Sequence, residues 1–245
     1  MSGVNASRTA RERVRAELTR EITGIARTQL ATEGAAGLSL RAVAREMGMV
    51  SSAIYRYFPS RDDLLTALIV DGYNAIGEAA EKADAAAPAE DYAGRWLAVC
   101  QAVRGWALAH PHEYALVYGS PVPGYQAPQQ TIGPAARAAT VFGKIISDAY
   151  RAGALQPPGS CPPPPESFAA DAAGLRESVL PGVPDDVIAC ALASWTALFG
   201  MVSFELFGQF ENVITDRAAF FGHAMNCQGR LTGLPESAAP AVGAA

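Results

Sequence analysis

The chain has 245 residues, half of them hydrophobic, and a formal net charge of −5. This apolar content is enough for one large or two small folded domains, and it excludes a chain that stays disordered throughout. The four cysteines, Cys100, Cys161, Cys190 and Cys227, are far apart and form no CxxC pair, which argues against zinc or a disulfide framework. Frequent Ala, Leu, Arg and Glu, with no long β-branched run, predict an all-α fold.

Charge is distributed unevenly along the chain. Residues 1–60 carry nine Lys+Arg against five Asp+Glu, whereas residues 61–245 carry ten against nineteen. A basic N-terminal part on an acidic body is typical of a DNA-binding domain joined to a regulatory domain. The alternative is that arginines cluster by chance on helix surfaces.

The N-terminal part predicts a disordered tail over residues 1–10, followed by four helices. Apolar residues at three- and four-residue spacing indicate the first helix, over residues 11–32. A second helix, over residues 40–47, is capped by Ser39 and closed by Gly48, where a positive φ costs little only for glycine. The third is short. The fourth is long, runs over residues 61–81, and is opened by a capping box of Ser60 and Asp63.

The C-terminal part predicts further helices separated by Pro/Gly-rich loops. They fall over residues 92–109, a short segment ending at 118, 130–152, 167–179, 185 to about 207, and 216–231. We expect the proline-rich loop over residues 153–165 to be mobile and the tail over residues 233–245 to be disordered.

One predicted helix raises the question of a membrane. Residues 187–204 run 18 positions without a charge, close to the length that crosses a bilayer. Ser194, Trp195 and Thr196 dilute this segment, so we interpret it as a buried helix, with a membrane span as the alternative. The first 20 residues are polar and arginine-rich, unlike a signal peptide. We therefore expect a cytoplasmic protein that does not contact a membrane.

The second and third helices have the layout of a helix-turn-helix, which needs a supporting helix, a tight turn and a recognition helix that enters the major groove. These parts are supplied by residues 40–47, 48–50 and 51–57. Ser51 or Ser52 can start the recognition helix. Ile54 and Phe58, four residues apart, anchor it to the core. The side chains left facing outward are Ser51, Ser52, Ala53, Tyr55, Arg56 and Tyr57.

Residues 14–77 resemble the DNA-binding domain of the TetR family of bacterial repressors. The resemblance is carried by Leu40…Val43-Ala44…Met47-Gly48, Ile54-Tyr55-Arg56-Tyr57-Phe58 and Ser60-Arg61-Asp62-Asp63-Leu64-Leu65. The family commonly has Val-Ser after the turn glycine and Lys after Phe-x-Ser, where this chain has Met49-Val50 and Arg61. Because Val50 stands at the usual cap position of the family, Ser51 is expected to cap the recognition helix instead. The resemblance implies a dimer on a palindromic operator, with recognition helices roughly 34–36 Å apart. The implied DNA-contact positions are Ser39, Arg41, Ser51, Ser52, Ala53, Tyr55, Tyr57 and Arg61.

A second resemblance lies near the C-terminus. The segment Trp195…Leu198-Phe199-Gly200-Met-Val-Ser203-Phe-Glu205-Leu206 is similar to the signature of one TetR subgroup, named for a Trp-His-Gly pattern. In that subgroup a histidine usually precedes the glycine. Phe199 stands there in this chain, so no role of that histidine is carried over.

The C-terminal helices carry aromatic side chains suited to a cavity for a small apolar effector. The candidates are Trp96, Trp106, Tyr114, Tyr118, Trp195 and Phe199, with Arg104, His110 and His112 as possible polar partners. The alternative is that these aromatics fill a helical core. No cofactor or metal is expected: His112-Glu113 superficially resembles a zinc-protease motif, but Leu116 stands where the second histidine would be.

We expect two domains, a helix-turn-helix domain over residues 11–77 and a ligand-binding and dimerisation domain over residues 78–232. The last two helices are the expected homodimer surface, because the segment over residues 187–207 is too apolar to be half exposed. Small residues in it would let helices approach closely: Ala191, Ala193, Ala197 and Gly200.

The leading hypothesis is a repressor that a small apolar molecule releases from a palindromic operator. A first alternative is a ligand-independent regulator of the same kind, controlled by a protein partner at the loop over residues 153–165. A second is an all-helical enzyme. The chain has no GxSxG, P-loop, GxGxxG or HExxH motif and no Cys/His cluster to support it.

Overall fold

The computed structural model describes residues 2–156 and 162–236, and within these ranges every regular element is helical. The helices are α1 (Ser2–Gly37), α2 (Leu40–Glu46), α3 (Ser51–Ile54), α4 (Arg61–Ala86), α5 (Tyr92–Ala109), α6 (Pro111–Tyr118), α7 (Ile132–Arg151), α8 (Ala169–Ser178), α9 (Asp185–Leu206) and α10 (Arg217–Leu231). Single 3₁₀ turns at Gln129–Thr131 and Glu166–Phe168 precede α7 and α8. The predicted all-α fold class is confirmed.

The N-terminal helix is longer than the sequence predicted. It begins at Ser2, so residues 2–10 are helical where we expected a disordered tail. Gly34, with φ of 70°, breaks the helical geometry close to the predicted end. Residues 157–161 of the predicted mobile loop and residues 237–245 of the predicted tail lie outside the described residues.

Local chemistry explains where α2 and α4 begin and end. The Ser39 hydroxyl accepts a hydrogen bond from the Ala42 N–H, as a capping serine does, and Gly48 follows α2 with φ of 66°. At the start of α4, the Ser60 N–H donates to Asp63 Oδ2 at 2.9 Å and the Asp63 N–H donates to Ser60 Oγ at 3.1 Å. This reciprocal pair is the predicted capping box.

The chain forms two compact units. Among the described residues, the first comprises those up to Gly72 together with His112–Thr131, and the second comprises Tyr73–Pro111 and those from Ile132 onward. α4 contributes residues to both units. The sequence did not predict that residues 112–131 would group with the first unit.

Side-chain contacts explain that grouping. Arg27 on α1 donates to Asp71 at 2.6 Å and to Glu113 on α6 at 3.0 Å. The hydroxyls of Thr66 and Tyr125 are 2.8 Å apart. Burial raises the pKa of Asp71, and the neighbouring Arg27 offsets this only in part. Arg27 therefore joins α6 to α1 and α4 through these two ion pairs.

The second unit is a helical bundle in which α9 and α10 pack on each other and on α5, α5 packs on α7, and α8 packs on α9. Its core is apolar, but buried ion pairs cross it. Arg95 donates to Asp84 at 2.7 Å and to Asp148 at 3.0 Å, with 4% of its side chain exposed. Arg104 binds both carboxylate oxygens of Glu205, at 2.6 and 2.7 Å. These charges are paired within the unit.

Within the described residues, α9 is the one helix long and apolar enough to cross a membrane, with a mean hydropathy of 1.9. Length and composition alone are weak evidence, because core helices of soluble proteins pass the same test. One side of α9 packs inside the second unit through Val187, Ile188, Leu198 and Val202. We therefore interpret α9 as a core helix with one uncovered side.

Candidate nucleic-acid interface and apolar cavity

The recognition helix α3 is short, and its inward-facing side chains are buried. Its first residue is Ser51, and the cap position is Val50, which has extended backbone geometry and makes no side-chain cap bond. The expectation that Ser51 caps this helix is therefore wrong, because a β-branched valine adopts the extended conformation that the position needs. The chain continues as a turn through Tyr57, whose N–H donates to the Ile54 carbonyl at 2.9 Å. Ile54 and Phe58 are buried, as predicted.

The outward face of α3 carries hydroxyl groups. Ser51 and Ser52 are exposed, and 41% of Tyr55 is exposed. Within the described part of the chain, none of these three hydroxyls makes a hydrogen bond. Ala53 and Tyr57 are half-buried beside them. Unpaired hydroxyls on a short exposed helix are suited to phosphate oxygens and base edges.

The two predicted contacts on and before α2 differ from each other. Ser39 is half-buried, and its hydroxyl is already occupied as the α2 cap. Arg41 is exposed, and its guanidinium has no ion-pair partner among residues 2–156 and 162–236. Arg41 is therefore available to a phosphate, whereas Ser39 serves mainly to set the start of α2.

Arg61 has a structural use that the sequence did not suggest. Its guanidinium donates to the Ala35 carbonyl in the last turn of α1 at 2.6 Å and to the Leu38 carbonyl just past the end of α1 at 3.3 Å. It also lies 3.5 Å from Asp62. These bonds join the start of α4 to the α1–α2 connection. The predicted phosphate contact of Arg61 stays a prediction.

One residue near the interface escaped sequence reasoning. Arg15 on α1 donates to the Arg56 carbonyl at 3.0 Å, and its guanidinium lies 5.4 Å from the centre of the Tyr57 ring. Arg15 therefore holds the C-terminal end of the recognition segment. The contact joins positions 41 residues apart, so no local spacing could reveal it; the only signal was the cluster of basic residues in the N-terminal helix.

The second unit contains an apolar cavity of about 170 Å³ between α5, α7, α8 and α9. Its walls include Trp96, Phe142, Ile146, Ile188, Leu192 and Trp195. The aromatic walls meet edge to face: Trp96 and Phe142 have ring centres 5.1 Å apart, and Phe142 and Trp195 have ring centres 5.4 Å apart. The Trp96 N–H is occupied, donating to the Met225 carbonyl at 2.8 Å.

Gly143 sets the distance between α7 and the end of α8. A Cβ at this position would overlap the Val179 carbonyl oxygen. Because backbone atoms block any side chain here, the close approach depends on glycine. The wall formed by Gly143 and Val179 is therefore tightly packed.

The structure separates the six predicted effector residues. Trp96 and Trp195 line the cavity, and Phe199 is buried behind Trp195 with ring centres 4.6 Å apart. The other three lie elsewhere: Trp106 stacks on His110 at 5.1 Å, and Tyr114 and Tyr118, 5.2 Å apart, belong to the first unit.

The predicted polar partners do not line the cavity. Arg104 is paired with Glu205, and the His110 ring nitrogen Nδ1 lies 2.9 Å from the Trp106 carbonyl. His112 is exposed in the first unit. Among the described residues, no group of three or more His, Cys, Asp or Glu side chains could hold a metal ion.

α9 and α10 share an exposed apolar side. Phe204 and Phe220 are exposed there, and the Phe210 ring lies between them, 5.7 and 6.2 Å from their rings. Gly200 is exposed and has open space around it. Ala191 was expected on this side, but it is buried in the cavity wall.

An exposed polar recognition helix in one unit, and a helical bundle with an apolar cavity in the other, define a helix-turn-helix regulator. Comparison with family models agrees. Residues 22–68 match the model described as bacterial regulatory proteins, tetR family. Residues 96–227 match the model described as tetracyclin repressor-like, C-terminal domain.

Full-length relatives point the same way. The chain is 40% identical over 222 residues to the HTH-type transcriptional regulators Rv1816 of Mycobacterium tuberculosis and Mb1846 of Mycobacterium bovis, a match that covers 89% of this chain and 92% of each relative. The chain belongs to the TetR family of transcriptional regulators. It is a transcriptional regulator with a DNA-binding domain and not an enzyme.

Solved structures support the fold. The regulatory protein SCO4313 is 34% identical with a TM-score of 0.73, and the match covers 89% of this chain and 97% of that one. A tetR-family regulatory protein from Rhodococcus RHA1 is 17% identical with a TM-score of 0.59, covering 89% and 98%. The second likeness is one of fold alone.

Proposed function

We propose that this regulator is a cytoplasmic repressor whose dimer binds a palindromic operator and leaves it when a small apolar molecule binds. The observation that carries the proposal is the outward face of the recognition segment, where Ser51, Ser52 and Tyr55 are exposed and their hydroxyls make no hydrogen bond to any residue that the structure describes. Arg41 adds an exposed charge for a phosphate. These residues share one short segment, as base and phosphate contacts in a major groove require.

The exposed side of α9 and α10 supports the dimer. Large apolar side chains such as Phe204, Phe207 and Phe220 are costly to leave in water. An isologous interface between two copies would cover them, in the manner of a hydrophobic homodimer core. The dimer would then present two recognition helices to one face of the DNA.

The cavity supports release by a ligand. A ligand lowers operator affinity only if it binds the released state more tightly than the DNA-bound state. Typical coupling of about 1–3 kcal/mol corresponds to roughly 5- to 150-fold in affinity. We propose that α4, which contributes residues to both units, carries this coupling.

The experiment is a DNase footprint of the purified chain on the intergenic DNA upstream of its gene, paired with affinity measurements at several salt concentrations. We expect two protected half-sites whose centres are about 10 base pairs, or a multiple of that, apart. We also expect affinity to fall steeply as salt rises, because phosphate contacts release counterions. Protection of a single half-site would contradict the dimer. Binding that is indifferent to salt would contradict operator binding through this interface.

A further inference from the structure

We infer that the effector of this cavity is an uncharged molecule built on one or two aromatic rings, with at most one hydrogen-bond acceptor. This inference rests on the proposed function and narrows it. The proposed function concerns release from DNA, whereas the inference concerns which molecules the second unit binds.

The volume of the cavity sets the size of the ligand. At about 170 Å³, the cavity is close to an engineered apolar cavity of about 150 Å³ that holds benzene. Pockets for drug-sized ligands occupy roughly 300–1,000 Å³. A single substituted ring or two fused rings therefore fill this volume, and a sterol, a long acyl chain or a polyketide exceeds it. The close contact of Gly143 with Val179 prevents these two walls from approaching further.

The chemistry of the walls sets the charge of the ligand. The cavity is lined by Ala, Gly, Ile, Leu, Phe, Trp and Val only, so no lining side chain is titratable. The nearest basic side chain along α8, Arg176, donates to the Asp185 carboxylate and to the Val183 carbonyl. A ligand carboxylate or ammonium held between these walls would lose part of its water and find no counter-charge among the lining side chains, which is unfavourable.

The hydrogen-bonding groups in the walls limit how many hydrogen-bond acceptors the ligand can carry. The Trp96 N–H already donates to a backbone carbonyl. Of the side-chain groups that line the cavity, the Trp195 N–H is the one donor that makes no hydrogen bond within the described ranges. Each further hydrogen-bond acceptor on a ligand would find no donor among the lining side chains.

The aromatic walls set the shape of the ligand. Trp96, Phe142 and Trp195 meet edge to face, which presents ring edges and ring faces at the same cavity. Aromatic pairs with centres about 4.5–7 Å apart gain stability beyond their buried area. A flat ring that enters between them therefore gains more than an aliphatic group of the same volume.

The test is a thermal-unfolding assay of the full chain with four probes of similar size. Toluene and indole are uncharged, whereas benzoate is an anion and benzylamine is a cation. At about ten times the dissociation constant, we expect toluene and indole to raise Tm by roughly 3–6 °C. We expect no rise with benzoate or benzylamine at equal concentration.

Substitutions that fill the cavity test whether the probes bind there. Ala139→Leu places three more carbons in the cavity from α7 and should abolish the rise with toluene and indole. Thr140→Leu, at the adjacent exposed position that does not line the cavity, should leave the rise unchanged. Ala191→Leu fills the same cavity from α9, so the test does not depend on Ala139→Leu folding.

The outcomes separate the two claims. Stabilisation by benzoate or benzylamine but not by the neutral probes overturns the inference and leaves operator binding untouched. A rise that survives both Ala139→Leu and Ala191→Leu also overturns it. If toluene and indole bind as expected but leave operator affinity unchanged, the ligand class stands and the proposed release from DNA fails.

Discussion

The recognition segment and the cavity differ in their polar groups: the first exposes them to solvent, and the second has almost none. Ser51 and Ser52 on α3 and Tyr55 at its C-terminal end expose hydroxyls that are unpaired among the described residues. In the second unit, the buried Arg95 and Arg104 are paired with carboxylates, and the cavity walls carry almost no polar atoms. An interface for a charged polymer needs unpaired polar groups that its partner can bind. In a pocket for an apolar molecule, unpaired polar groups would instead oppose binding. The contrast yields predictions about which substitutions change stability and which change binding.

The largest expected effect is the loss of stability on removal of the buried Arg95 guanidinium. Arg95→Met leaves the carboxylates of Asp84 and Asp148 without their main partner. Breaking a buried pair in this way costs about 3–5 kcal/mol, so Tm should fall by roughly 6–20 °C. Arg151 binds the same Asp148 but is exposed, so Arg151→Met should cost about 1 kcal/mol or less. Equal losses in the two variants would show that the pairing is not buried.

A second comparison separates Arg61 from Arg41. Arg61→Ala removes two hydrogen bonds to backbone carbonyls and should lower stability by about 1–3 kcal/mol. Arg41→Ala should leave Tm unchanged and make the plot of log affinity against log salt shallower by about 1. If Arg61→Ala instead changes the salt slope with Tm unchanged, Arg61 is a phosphate contact and its carbonyl bonds matter little.

Arg15 should act on DNA binding through Tyr57. Removing its contact with the ring and with the Arg56 carbonyl loosens the end of the recognition segment. A cation–π contact at an exposed site is worth about 0.5–1 kcal/mol, so Arg15→Ala should weaken operator binding roughly two- to five-fold. The variant Arg15→Lys keeps the charge but not the planar guanidinium. Full affinity in Arg15→Lys would mean that charge alone matters at this position.

The smallest effect is a pH dependence at Asp148. Burial opposes its ionisation, but hydrogen bonds from Lys144 and Arg95 outweigh burial and lower the pKa of Asp148 below its ordinary 3.8. A lowered carboxyl pKa stabilises the fold above the unfolded pKa, and this contribution is lost as pH falls through the folded pKa. Wild type should therefore be more stable than Asp148→Asn at pH 6, and the difference should shrink below about pH 4. A constant difference down to pH 3 would contradict this assignment.

The two regions also differ in how much of them the sequence predicted. Gly48 has the predicted positive φ, Ser60 and Asp63 form the predicted capping box, and Ile54 and Phe58 are buried. These features depend on neighbours within a few residues, so local spacing reveals them. The cap at Val50 was missed because its backbone geometry, and not its side chain, fits the position.

The cavity depends on contacts that spacing cannot reveal. Trp96, Phe142 and Trp195 come from three different helices, and Gly143 matters only because Val179 lies against it. Tyr114 carries the same kind of side chain, yet it lies in the first unit because Arg27 fastens α6 there through Glu113. Helix periodicity indicates which residues share one face of a helix, but not which faces of different helices share a cavity.

The most direct test of the proposed DNA interface compares two tyrosines with equal exposure. Tyr55 on the recognition turn and Tyr150 on α7 are each 41% exposed. In fluorescence-anisotropy titrations with the upstream operator, Tyr55→Ala should bind roughly 5- to 150-fold more weakly than wild type, as expected for a lost base contact of about 1–3 kcal/mol. Tyr150→Ala should bind like wild type, and both variants should keep the wild-type Tm. Equal operator affinity in the two variants would contradict DNA recognition through α3.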